Sequence, residues 1–171
     1  MIYKQFQGSV WDKEKEFRKI SKEMKEVEAD NSFDTSIKHD GIVNIIYDDP
    51  RFAGDKMRGV TGFSVPDEVM EDESFVKNML GKGYQVAVLP SAEAYTCDFK
   101  IKMKMHHMIG AMKCNGSMFD RYKADNMGKM PTEAASIEVN SCDGTNYYYL
   151  PKEHVGSFML TDKRRPRMMG K

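Results

Sequence analysis

The chain has 171 residues, with 26 Lys plus Arg balancing 26 Asp plus Glu, and 40% apolar side chains. That length suits one domain, able to bury about 70% of the surface its unfolded form exposes without disulfides or metal. The neutral balance argues neither for nucleic acid nor for an acidic partner, so any effect of charge has to be local.

Cys97, Cys114 and Cys142 form an odd set with no CxxC spacing, which argues against a zinc site and against a secreted disulfide framework. A reducing compartment fits them best. The N-terminal stretch lacks an apolar run of signal-peptide length, and no segment approaches the roughly 20 apolar residues that span a bilayer. The expectation is a soluble, cytoplasmic chain, or the cytosolic domain of a protein whose anchor lies outside this sequence. Fifteen methionines fill irregular cores and also suit an adaptable binding surface.

Ile2 to Gly8 alternates apolar and polar positions as a half-buried strand does. A helix follows, with Ser9 and Asp12 supplying cap oxygens and Val10, Phe17, Ile20, Met24 and Val27 on one face. Residues 29–40 read as a loop. Gly41 to Pro66 is a hairpin: Ile42, Val43, Ile45, Ile46 and Tyr47 form an extended run, Asp48-Asp49-Pro50 stops it, and Met57 to Val65 returns. Gly59 and Gly62 in the second strand weaken it but permit a bulge or a close ligand or backbone approach. Glu71 to Leu80 reads as a short helix, Tyr84 to Leu89 and Ala94 to Ile101 as strands. Lys104 to Tyr122 reads as a second long helix with Met105, Met108, Ile109, Met112, Phe119 and Tyr122 on one stripe, although Gly110 and Gly116 each cost about 1 kcal/mol of propensity. Ala134 to Ser141 and Thr145 to Leu150 make a last hairpin around Asp143-Gly144. Residues 161–171 form a basic tail.

The pattern Tyr47-Asp48-Asp49-Pro50 followed by Lys56, Arg58 and Gly62 resembles the GyrI-like small-molecule-binding domains, most closely the eukaryotic branch that includes the testis-expressed ER-phagy receptor. The order of elements independently suggests a repeat. An aromatic strand, an amphipathic helix and a hairpin occur twice, with nearly the same spacing from Tyr3 to Asp48 and from Tyr95 to Asp143. Two βαββ units, about 1–66 and 84–153, would form one α+β domain over residues 1–160. Its single antiparallel sheet would carry both long helices on one face, as the resemblance also implies. The other face would then be an open groove along a pseudo-twofold axis.

In Ser136 to Asn140, Ile137 and Val139 point one way and Glu138 the other. With the apolar pair under the helices, Glu138 would face that groove among Tyr47, Tyr147, Tyr149 and Trp11. A carboxylate among aromatic rings suits a lipophilic cation, or a general base if burial raised its pKa; an ordinary lysine-paired strand residue is the simpler alternative. The resemblance implies a Glu near the start of the penultimate strand, which Glu138 matches. It also implies a second Glu four residues before a proline on the last strand, where this chain has Tyr147. That departure argues against bacterial-type cation binding and against hydrolysis of cyclopropane-containing compounds.

His106-His107 invites comparison with haem ligation, but adjacent helical side chains diverge by about 100° and cannot both face one iron. The residues therefore lead to a non-enzymatic domain with no cofactor. Its groove would bind a hydrophobic or cationic small molecule or a protein segment, as an adaptor would. A hydrolase with Glu138 as base and Tyr149 or Trp11 positioning the substrate, and a tetrapyrrole carrier, are the alternatives.

Overall fold

The computed structural model describes residues 1–29, 41–48, 53–103, 105–131, 134–141 and 143–160. The expected loop after residue 29, Asp49, Pro50, Lys104, Cys142 and the basic tail lie outside them.

Strand β1, Ile2–Gly8, leads directly into helix α1, Val10–Glu28. Ser9 caps that helix as the sequence suggests. Its hydroxyl accepts from Asp12 N, while the Asp12 carboxylate accepts from Ser9 N, a reciprocal capping box. The hydrogen bonds from Ser9 to its side chain, with Lys15 beside it, hold Asp12 down to about 2. Strands β2, Gly41–Ile46, and β3, Met57–Ser64, form the first hairpin. The glycines of β3 make no bulge. Register runs unbroken, and Gly62 allows a close approach: a Cβ there would run into the Ile2 carbonyl oxygen.

The helix expected over 71–80 is two helices, α2, Asp67–Glu71, and α3, Glu73–Gly81. Asp72 between them is extended, and its carboxylate accepts from Ser74 N and Phe75 N, so a new helix starts there. Strand β4 is only Gln85–Val86, because its partner β1 meets it only at Ile2 and Tyr3. Then follow β5, Ala94–Lys100, α4, Met105–Asp125, β6, Ser136–Ser141, and β7, Thr145–Pro151.

Among the described residues these strands form one antiparallel sheet in the order β4-β1-β3-β2-β6-β7-β5. Strands from before residue 65 and strands from after residue 93 meet at its centre, where Asn44 of β2 stands opposite Glu138 of β6. Helix α1 packs on β1 and β3, and α4 packs on β5 and β7. Both lie on the same face, since Lys13 of α1 and Asn115 of α4 reach Glu138 and Ser136, two residues apart on β6.

Two apolar clusters fill this helical face. Under α1 lie Ile2, Ile20, Met24, Val27 and Phe63, closed off by Phe75 and Met79 of α3. Under α4 lie Cys114, Met118, Phe119, Tyr148 and Leu150. The α4 stripe is rotated from its expected phase: Gly110 and Cys114 are buried, whereas Met105, Met108 and Met112 are exposed. Gly110 explains the rotation. A Cβ there would sit 2.9 Å from the Phe99 ring and 3.0 Å from the Tyr148 hydroxyl, so the helix closes onto the sheet through its bare backbone.

The opposite face is not an open groove. Tyr3, Val43, Ile45, Tyr47, Val60 and Ile137 on it are covered by Phe158, Leu160, Ala87, Leu89 and Ala92. So many apolar side chains on one face have to be buried, and the chain after β7 returns across them.

Candidate functional site

Sheet register assigns each predicted residue to a face, because directly opposed residues point the same way. One row runs Lys4, Thr61, Asn44, Glu138, Tyr148, Cys97 across the helical face. Its neighbours Val43, Val139 and Tyr147, and Ile45, Ile137 and Tyr149, point to the other face. The pair Ile137 and Val139 therefore lies away from the helices, opposite to the assumption that placed Glu138 in a far-side groove. Glu138 sits instead between α1 and α4.

Glu138 is separated from its expected aromatic companions. Tyr47 is buried on the other face, where its hydroxyl donates to Phe158 O and accepts from Leu160 N, both at 3.0 Å. Tyr149 packs in the same cluster, and Tyr147 donates to Asp143 at 3.4 Å. Trp11 is 74% exposed and, two residues before Lys13, points roughly opposite to it around α1. A hydrolytic arrangement with Tyr149 beside Glu138 is thus not formed.

Other residues assemble around Glu138. Its side chain is 8% exposed, and Oε2 accepts from Lys13 Nζ at 2.8 Å. Oε1 accepts from Asn146 Nδ2 at 2.9 Å, with the Tyr148 hydroxyl at 3.5 Å. Burial, then the negative charge of Glu138, raises the Tyr148 phenol above its ordinary pKa. Next to Glu138, Asn44 accepts from the buried Thr61 hydroxyl at 2.9 Å. The same Asn146 nitrogen lies 3.1 Å from His107 Nδ1, which accepts when that nitrogen carries no proton. Along β6, Ser136 donates to Asn115 of α4 at 2.6 Å.

The result is a polar seam between two apolar clusters, floored by strand side chains and bridged from α1 by Lys13. On its α4 side, Met108 lies one heptad before Asn115 and so shares that flank of the helix; it is 56% exposed.

The histidines diverge as their spacing requires. His106 Nδ1 accepts from Lys102 N and its ring meets Phe99 edge-on, while His107 turns to Asn146. Burial, together with the neighbouring Cys97, pushes the Cys114 thiol up to about 12, far from a thiolate nucleophile. A shallow depression of about 250 Å³ beside Phe17, Arg18, Ser21, Lys22 and Lys25 takes in neither Lys13 nor Glu138. No group of three or more His, Cys, Asp or Glu side chains able to hold a metal occurs among the described residues, and no helix among them is long and apolar enough to cross a membrane.

Lys13, Asn44, Asn146 and Tyr148 are absent from the set read from the sequence. Counting register back from a two-residue Asp143-Gly144 turn would have opposed Glu138 to Tyr149; the structure pairs Asn140 with Asn146 and so Glu138 with Tyr148. The approach of Lys13 depends on how α1 docks and has no local signal. Comparison with known family models, curated proteins and solved structures returned no match.

Proposed function

We propose that the chain is a non-enzymatic, cytosol-facing domain of GyrI-like type whose seam between α1 and α4 binds a hydrophobic small molecule. The observation that carries this reading is the nearly buried carboxylate of Glu138 at the middle of the sheet, where the two halves of the chain meet between their helices. A charge in that position costs folding energy that an apolar residue would not.

The strand order supports the doubled fold. Matching β1 with β5, β3 with β7 and β2 with β6 makes the six-strand order β1-β3-β2-β6-β7-β5 read alike from either end. In the resemblance, Asp48, Arg58 and Gly62 keep structural tasks, while Glu138 keeps the position of a ligand-facing acid. Lys13 already neutralises it, which favours an uncharged ligand over a cation. Lys13 and Asn146 also occupy both carboxylate oxygens, which argues against Glu138 as a free general base. The exposed Met105, Met108 and Met112 favour a protein segment as the second candidate occupant.

The test is a thermal-shift panel of neutral lipophiles, a lipophilic cation, haem and cyclopropane-bearing compounds, followed by calorimetric titration of any compound that shifts the midpoint. A neutral lipophile is expected to raise the midpoint, with Glu138→Gln and Met108→Glu each weakening it about tenfold, or 1.4 kcal/mol. Binding unchanged by both variants would remove the seam assignment. No response from any compound would transfer it to a protein segment, to be sought by peptide-array binding with Met108→Glu as control.

A further inference from the structure

We infer that Lys13 occupies a cation position built on Glu138, and that this tethered counter-ion sets the charge of ligand the seam admits. The selectivity part rests on the binding-domain reading above; the cation position does not.

The two sides of the Glu138 carboxylate differ in kind. Oε1 is held by Asn146, a strand side chain at 2% exposure, and its other neighbours Asn44 and Tyr148 are also strand residues in the same cross-sheet row. Oε2 is held by an ammonium on a four-methylene stem from α1, 125 residues away in sequence. The floor is therefore rigid and the cation is movable.

The exposures point the same way. The Lys13 side chain is 20% exposed and that of Glu138 8%, so Lys13 lies on the solvent side of the carboxylate and can withdraw into water along its stem. A cation arriving from solvent meets the place that Lys13 already fills. A neutral molecule has no ion pair to break. With Lys13 in place the seam discriminates against cations; without it, the carboxylate, still bonded by Asn146, becomes an acceptor for a primary ammonium.

Lys13→Ala removes the atoms of n-propylammonium, which makes that ion the probe. Thermal midpoints would be recorded for the wild-type chain, Lys13→Ala, and Lys13→Ala combined with Glu138→Gln. Each would be measured in n-propylammonium chloride, potassium chloride at matched ionic strength, and n-propanol. Lys13→Ala is expected to melt below the wild type and to regain at least about 2 °C in propylammonium alone. The wild type and the double variant should respond no more than they do to potassium. If Lys13→Ala is recovered unfolded, soluble yield on refolding in propylammonium against potassium is the same comparison.

Recovery no greater than with potassium, or an equal rise in the wild type or in the double variant, overturns the cation position. A failed ligand panel with specific rescue would remove the binding-domain reading and keep the cation position; a ligand hit without rescue would do the reverse.

Discussion

Asp48 illustrates how a residue chosen for a turn takes on a wider structural task. Its carboxylate is buried and forks onto Arg58, with Arg58 Nε at 2.8 Å from Oδ2 and Nη2 at 2.8 Å from Oδ1, while Arg58 N donates to Oδ2 at 2.9 Å. Two parallel charge-assisted bonds need the planar guanidinium, which lysine cannot imitate. Arg58→Lys should therefore lower stability by about 1–2 kcal/mol, read as a lower urea midpoint at unchanged slope; an unchanged midpoint would mean that the fork contributes nothing. The sequence makes Asp48 legible as a turn former but leaves its partner hidden, because Arg58 lies across the hairpin. Glu138 is a parallel case. Period-two alternation separates it correctly from Ile137 and Val139, yet alternation carries no information on which face receives the helices. Apolar residues occupy both faces of the centre, such as Ile42 on one and Ile45 on the other, so the pattern is ambiguous there.

At the scale of elements, boundaries follow local chemistry where that chemistry is strong. The Ser9 and Asp12 box starts α1, and the Asp143-Gly144 turn sets the last hairpin. Expectation and structure part where tertiary contact overrules periodicity. Periodicity gives the buried stripe of α4 to its methionines, whereas packing selects the face with the least bulk, Gly110, to meet Phe99 and Tyr148. Two glycines with opposite surroundings make this measurable. A methyl group added at Gly116 on α4 would meet nothing within 4 Å, so Gly116→Ala should stabilise by about 0.5–1 kcal/mol through helix propensity. A methyl group at Gly62 on β3 would run into Ile2 O and lie 2.6 Å from Tyr3 Cα, both backbone atoms that cannot turn aside. Gly62→Ala should force β1 away from β3 and cost about 3 kcal/mol, the upper part of the overpacking range. Urea midpoints moving in opposite directions would bear this out; equal shifts of one sign would refute the assignment of either contact.

The whole molecule is a sheet covered on both sides, and its tyrosines record that. Tyr148 lies beneath α4, Tyr47 beneath the returning chain on the opposite face, and Tyr84 beside Glu23 near the β1 edge. Burial raises the pKa of all three phenols, with Glu138 adding to it at Tyr148 and Glu23 at Tyr84. In the unfolded chain these groups ionise near the ordinary value of about 10. The folded state therefore keeps protons that the unfolded state sheds above that pH. Their contribution to stability is complete below about pH 10 and is lost progressively as pH rises further. Tyrosinate absorbance and far-ultraviolet circular dichroism, followed together on alkaline titration, test this coupling. Of the eight tyrosines, the more accessible ones should ionise first with the dichroism intact, and Tyr47, Tyr84 and Tyr148 only as it collapses. Complete tyrosinate absorbance with unchanged dichroism would mean that hydroxide reaches all three in the folded state, and that neither face of the sheet is sealed.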